Sequence, residues 1–208
     1  MVGWLSLAFE MTIKYLWRVL LPIFPLDMVR ADDHLVGATQ GYFDGKRPLD
    51  AVQLVGERGH ILISETDKIE SQWVFKAGVL TASPKWDSLV TPDHYQDFRM
   101  HVEFNVNSVS DVDAEKNGNS GIYIQKRYEL QILNSHGISE EDYKASYAGS
   151  LYRQKKPDKL VSKPAGEWQS YDIVFRAARF KGGKRIEYAG ISDQHNGVLI
   201  HDESALKN

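Results

Sequence analysis

The sequence predicts an all-β sandwich or barrel, and three observations carry that expectation. Short apolar runs recur from Ala31 onward between turn signals, with little sustained helical period. Phe98, Met100, Val102, Phe104 and Val106 alternate with Arg99, His101, Glu103 and Asn105, which is the period of a strand with one buried face. Asn196-Gly197, with Ile191 upstream and Val198 and Ile200 downstream, fits a tight hairpin, because both central residues of such a turn need positive φ.

The remaining elements follow in chain order. Phe43-Asp44-Gly45-Lys46 reads as a turn. Gln72-Trp73-Val74-Phe75 and Val79-Leu80-Thr81-Ala82 flank Lys76-Ala77-Gly78 as a hairpin. A second hairpin follows Gly118-Asn119-Ser120-Gly121. Ile122 and Ile124 alternate there with Tyr123 and Gln125, and beyond a turn at Lys126-Arg127, Tyr128, Leu130 and Ile132 alternate with Glu129 and Gln131. Residues 139–143 read as a helical turn and 155–164 as a surface loop. Tyr171, Ile173 and Phe175 return to period two against Ser170 and Asp172.

Composition narrows the function classes. A chain of 208 residues fits one such domain. The formal net charge of -3 leaves no basic footprint for a nucleic acid. With no cysteine there is no disulfide framework, thiolate metal site or thiol nucleophile. Met11 to Arg18 is basic and precedes the apolar run Val19 to Leu26 and Val29-Arg30-Ala31, before Asp32-Asp33. That order resembles a secretory leader over residues 1–31, with the domain proper at 32–208 and a periplasmic or secreted destination. The apolar run falls short of the ~20 residues that span a bilayer as a helix.

The ordered motifs Phe43-Asp44-Gly45-Lys46, Trp73 with Gly78-Val79-Leu80-Thr81, and Asp97-Phe98 with Glu103-Phe104 are joined by five more. These are Gly118-Asn119-Ser120-Gly121-Ile122, Tyr128-Glu129-Leu130-Gln131-Ile132-Leu133, Tyr147-Ala148-Gly149, Gly166-Glu167-Trp168-Gln169-Ser170-Tyr171-Asp172-Ile173 and His195-Asn196-Gly197-Val198. Together, over about Tyr42 to Asp202, they resemble the 3-keto-disaccharide hydrolase family, formerly a domain of unknown function. The resemblance implies a concanavalin A-like jelly-roll sandwich of two antiparallel sheets, bacterial export, and cleavage of glycosidic bonds in sugars oxidised at carbon 3. Members of that family continue past the His195-Asn196-Gly197 hairpin into a further strand. This sequence stops at Ala205-Leu206-Lys207-Asn208, so the sandwich is expected to lack its last strand.

In a jelly roll the outer face of one curved sheet forms a groove, and the polar halves of the alternating strands supply a candidate lining. Glu129 and Glu103 are the expected carboxylate pair, since glycosidases flank the scissile bond with two carboxyl groups; His101 joins them as a candidate base. Arg99, Asn119, Tyr123, Gln125, Gln131 and His136 are the expected substrate contacts, with Tyr123, Tyr152 and Trp168 able to stack on a pyranose ring. A 3-keto sugar also allows elimination: the ketone acidifies the carbon 2 proton, and Glu129 or His101 removes it while Arg99, Asn119 or a cation holds the enolate oxygen. No cofactor is expected. A divalent cation has no motif behind it, because Lys116 and Ile122 break the EF-hand spacing around Asp111, Asp113 and Glu115. His195 reads as a structural residue in a turn. The implied partner is an oligosaccharide or 3-keto sugar; the alternatives are a noncatalytic lectin-like module using the same groove, or a truncated, inactive relative.

Overall fold

The computed structural model describes residues 11–20, 51–67, 69, 71–82, 86–106 and 118–207. Fifteen strands and no helix occur among them. The turn expected at Phe43 to Lys46 and the acidic run from Asp111 to Glu115 lie outside the described residues.

The strands are β1 (Met11–Leu20), β2 (Val52–Gly56), β3 (Gly59–His60), β4 (Ile63–Ser64), β5 (Val74–Lys76), β6 (Val79–Thr81), β7 (Leu89–Val90) and β8 (Phe98–Val106). They continue as β9 (Ser120–Ile124), β10 (Tyr128–Ile132), β11 (Gln169–Arg176), β12 (Arg179–Lys181), β13 (Lys184–Glu187), β14 (Ala189–His195) and β15 (Val198–Leu206). Nine form one broad antiparallel sheet in the order β15-β14-β11-β8-β1-β2-β3, with β6 on β1 and β5 on β6. Strand β1 falls in the segment read as a leader; it is registered with β8 from Met11 against Val106 to Leu20 against Phe98. β9 and β10 form a separate ladder, as do β12 with β13 and β4 with β7.

Alternation explains the core. Along β8, Phe98, Val102, Phe104 and Val106 are buried while Arg99, His101, Glu103 and Asn105 are half-buried. On β11 beside it, Tyr171, Ile173 and Phe175 are buried on the same side, with Phe98 5.2 Å from Phe175 and Phe104 4.8 Å from Tyr171 between ring centroids. The β9–β10 hairpin lies across this apolar surface. Ile124, Tyr128, Leu130 and Ile132 join the same core, and the Tyr128 ring stands 6.2 Å from that of Phe175. The all-β sandwich expected from sequence is therefore present, with the broad sheet as one layer and the hairpin opposite it.

Turn chemistry agrees with the sequence at two hairpins. Ala77-Gly78 (φ 50° and 78°) joins β5 to β6, and Asn196-Gly197 (φ 53° and 77°) joins β14 to β15. His195 closes β14 rather than sitting in the turn; it is 2% exposed, hydrogen-bonds Gln169 Oε1 at 2.9 Å, and burial pushes its pKa down to about 4.

Candidate active site

The polar face of the β9–β10 hairpin brings together Glu129, Tyr123, Gln131 and Asn119 of the expected site residues. Register sets it out: Glu129 is directly opposite Tyr123, and Gln131 directly opposite Gly121. Residues directly opposed on one face have Cβ atoms ~5 Å apart, so these four positions form one continuous patch. Tyr128, Leu130 and Ile132 point into the core between them, which sends Glu129 and Gln131 to the outside of the sandwich.

The long connection after β10 completes the patch. Leu133, Tyr143, Tyr147 and Ala148 make a small second core, tied by the Tyr143 hydroxyl donating to the Ala148 carbonyl at 2.7 Å. From there the chain runs back beside β10. Gly149 N–H donates to the Gln131 carbonyl at 2.9 Å, and Tyr152 N–H donates to the Glu129 carbonyl at 2.9 Å. Tyr152 and Arg153 are thereby delivered to the edge next to Glu129, with the guanidinium 5.1 Å from the centre of the Tyr152 ring. Arg153 holds a left-handed backbone (φ 59°), which its N–H secures by donating to the Ala145 carbonyl at 2.8 Å. A non-glycine residue keeps that conformation only where its surroundings impose it.

Electrostatics single out Glu129. Burial raises the pKa of its carboxyl; a hydrogen bond from Tyr123 and the positive field of Arg153 oppose that rise without cancelling it. The Tyr123 ring is exposed, yet its hydroxyl sits against Glu129, and desolvation together with the carboxylate's charge raises the phenol's pKa so that it stays protonated. Gln131 is 1% exposed; its Nε2 donates to Asn119 Oδ1 at 3.1 Å, and its Oε1 is buried with no hydrogen-bond partner. A buried acceptor left open is costly unless a donor arrives.

The structure divides the rest of the expected set. Glu103 and His101 alternate with Val102 and Phe104, whose side chains face the hairpin across the core, so Glu103 and His101 point out of the opposite side of the sandwich from Glu129. There His101 Nδ1 donates to Asp172 Oδ1 at 2.7 Å and Nε2 lies 3.7 Å from Glu103 Oε1. Burial works against charging this imidazole, but the Asp172 hydrogen bond and the fields of Asp172 and Glu103 prevail, and its pKa is raised. Arg99 is registered with Val174 on that same side. The turn comprises Gln125 (φ 54°), Lys126 (φ 56°) and Arg127, the expected Lys126-Arg127 with Gln125 added, so Gln125 leaves the ladder. Its amide Nε2 donates to the Tyr95 carbonyl at 3.4 Å. His136 hydrogen-bonds the Ser162 carbonyl at 2.8 Å rather than any member of the patch. Arg153 was not among the residues the sequence pointed to; no local pattern marks it, since a loop brings it in.

Comparison with known proteins places this geometry. A solved structure from Parabacteroides distasonis ATCC 8503, provisionally described as a glycosyl hydrolase, is similar at 28% sequence identity with a TM-score of 0.70. The similarity covers 76% of this chain and 67% of that one. No curated protein matches the chain significantly. Residues 57–208 match the model of the 3-keto-alpha-glucoside-1,2-lyase-like domain. That stretch spans the hairpin patch, the loop that completes it and every strand of the sandwich from β3 onward, and the chain belongs to this glycoside-processing family.

Proposed function

We propose that the protein cleaves the glycosidic bond of 3-keto-glycosides at the β9–β10 face, with Glu129 as the base. The observation that carries this reading is the solitary, proton-seeking carboxyl of Glu129. Two-carboxylate hydrolysis needs a partner on the same sugar, whereas Glu103 faces away. Among the described residues, Arg153 is the one charged group that shifts Glu129. Elimination needs a single base, and a ketone at carbon 3 makes the carbon 2 proton acidic enough for a carboxylate whose basicity burial has increased.

In this reaction the C2–H bond breaks, its proton passes to Glu129, and its electrons form the enolate onto the carbon 3 oxygen. Collapse of the enolate breaks the bond from carbon 1 to the glycosidic oxygen, which leaves with a proton; Glu129, now protonated, and the Tyr123 phenol are the donors at hand. Water then adds at carbon 1, so the net change is hydrolysis. Arg153, whose charge reaches Glu129, and Asn119, bonded to Gln131 in the same patch, would stabilise the enolate oxygen. Tyr123 and Tyr152 offer aromatic surface to the sugar's C–H face. Export to the periplasm or beyond remains part of this reading, resting on the basic–apolar–small order of residues 11–31.

The test incubates the full chain with a 3-keto-disaccharide and, separately, with its unoxidised parent in deuterated water. Release of 3-keto-glucose from the oxidised sugar alone, with deuterium at carbon 2, is the expected outcome. Equal cleavage of both sugars, or release with no deuterium at carbon 2, overturns the elimination. Binding of the sugars without turnover makes the protein a lectin-like module.

A further inference from the structure

Gly121 is the second residue of β9, and nothing about its backbone calls for glycine. It is not among the residues with left-handed φ, and its strand is regular on both sides. Glycine inside a strand weakens it, having no side chain to pack and more freedom to lose, so its presence marks a close approach by something else. Here that something is the Glu129 side chain. A Cβ on Gly121 would lie 2.8 Å from Glu129 Cγ and 2.9 Å from Cδ, and would meet Oε1 more closely still. The overlap reaches Cγ, so swinging the carboxylate tip does not relieve it; the whole side chain must leave.

We propose that Gly121 is a positioning residue for Glu129: the bare rung it leaves in β9 is the cradle in which the Glu129 carboxyl lies, between Tyr123 and Gln131. The inference rests on the reading of Glu129 as the base and adds the reason this carboxyl stays where it is. Of the groups facing it, Tyr123 donates from the opposite strand, Arg153 supplies positive charge from the loop, and Tyr152 closes the edge. Gly121 lies on the same face diagonally across the ladder, with its bare backbone against the Glu129 side chain. Rotation about the Glu129 side chain costs little, so a cradle is what converts a flexible carboxyl into a fixed one. Misplacement of a reacting group by ~1 Å costs about a hundredfold in rate.

The test is Gly121→Ala in the full chain, with two readouts. In the free protein, the Glu129 carboxyl carbon is titrated by NMR, its signal assigned by loss in Glu129→Gln. The methyl group should drive the carboxyl toward water, and its raised pKa should fall toward the ordinary value of 4.5. With a 3-keto-disaccharide, kcat should drop about a hundredfold with KM little changed, and the acid limb of the pH profile should move to lower pH. A Glu129 that titrates as in the wild type, with kcat intact, overturns the proposal. If Gly121→Ala does not fold, Gly121→Ala/Glu129→Ala should fold, because the clashing atoms are gone; failure of the double variant overturns it too. If the wild type turns over no 3-keto sugar, the functional reading fails while the NMR titration still decides whether the cradle exists.

Discussion

Tyr123 and Glu129 stand directly opposite one another across the β9–β10 ladder, and both hold their protons more tightly than usual. Burial lifts the carboxyl, and burial first and the carboxylate's charge second lift the phenol. The hydrogen bond between them works the other way on Glu129, because the phenol stabilises the ionised form. One residue therefore tunes the basicity of the other.

Tyr123→Phe removes that donor and keeps the ring. The Glu129 pKa should then rise further, since a contact favouring the charged form is lost. A base must be ionised to act, so the acid limb of kcat/KM should move to higher pH, with activity below the limb reduced several-fold. The pH–rate profile of the variant against wild type checks the sign.

Glu129→Gln keeps the shape and hydrogen-bonding reach of the side chain and removes its basicity. Turnover should fall by about 100- to 10,000-fold, the range that a positioned base supplies, while sugar affinity changes little. Single-turnover kinetics alongside equilibrium titration with the 3-keto sugar separates the two effects.

Asp193 is wholly buried on β14, and neither of its carboxyl oxygens has a hydrogen-bond partner. Burial holds its pKa well above the usual carboxylate range. A raised folded-state pKa makes the native state prefer the protonated acid. The native state is therefore relatively most stable below about pH 4, the unfolded carboxyl's range, and loses that advantage as pH rises through the folded value. Asp193→Val should raise stability at neutral pH by about 1–3 kcal/mol, and the gain should shrink as pH falls toward 4. Urea midpoints across that range measure it.

His101 supplies the opposite sign. Its raised pKa, owed to Asp172 and Glu103 against the pull of burial, adds stability below about pH 6.5 that is lost as pH rises through the folded value. Asp172→Asn should cost about 1 kcal/mol at pH 5.5 and progressively less at higher pH. Because this cluster faces away from Glu129, turnover of the 3-keto sugar should be unchanged.

Much of the sandwich was legible because period-two alternation is a local signal. β8, β10 and β11 begin and end close to where their apolar residues do, and Ala77-Gly78 and Asn196-Gly197 supply the positive φ values their turns need. The site was legible only in half. Alternation tells which side of its own sheet a residue faces, and in a sandwich the outward sides of the two layers point apart. Glu103 and Glu129 each faced outward as the pattern required, but they belong to opposite layers, which strand periodicity does not encode. Arg153 was invisible for a different reason. Its place depends on the pairing of Leu130 with Leu151, a contact between a strand and a loop with no periodic signature.

The Tyr171 hydroxyl, rooted at the centre of the broad sheet, donates to the Gln131 carbonyl at 2.7 Å. That single bond crosses the core and ends on the backbone of the strand that carries Glu129. A two-stranded ladder is marginal by itself in water, so the face that carries Glu129 borrows rigidity from the layer behind. On heating, activity and tertiary structure would disappear together at one temperature, with no warm, folded, inactive state between them.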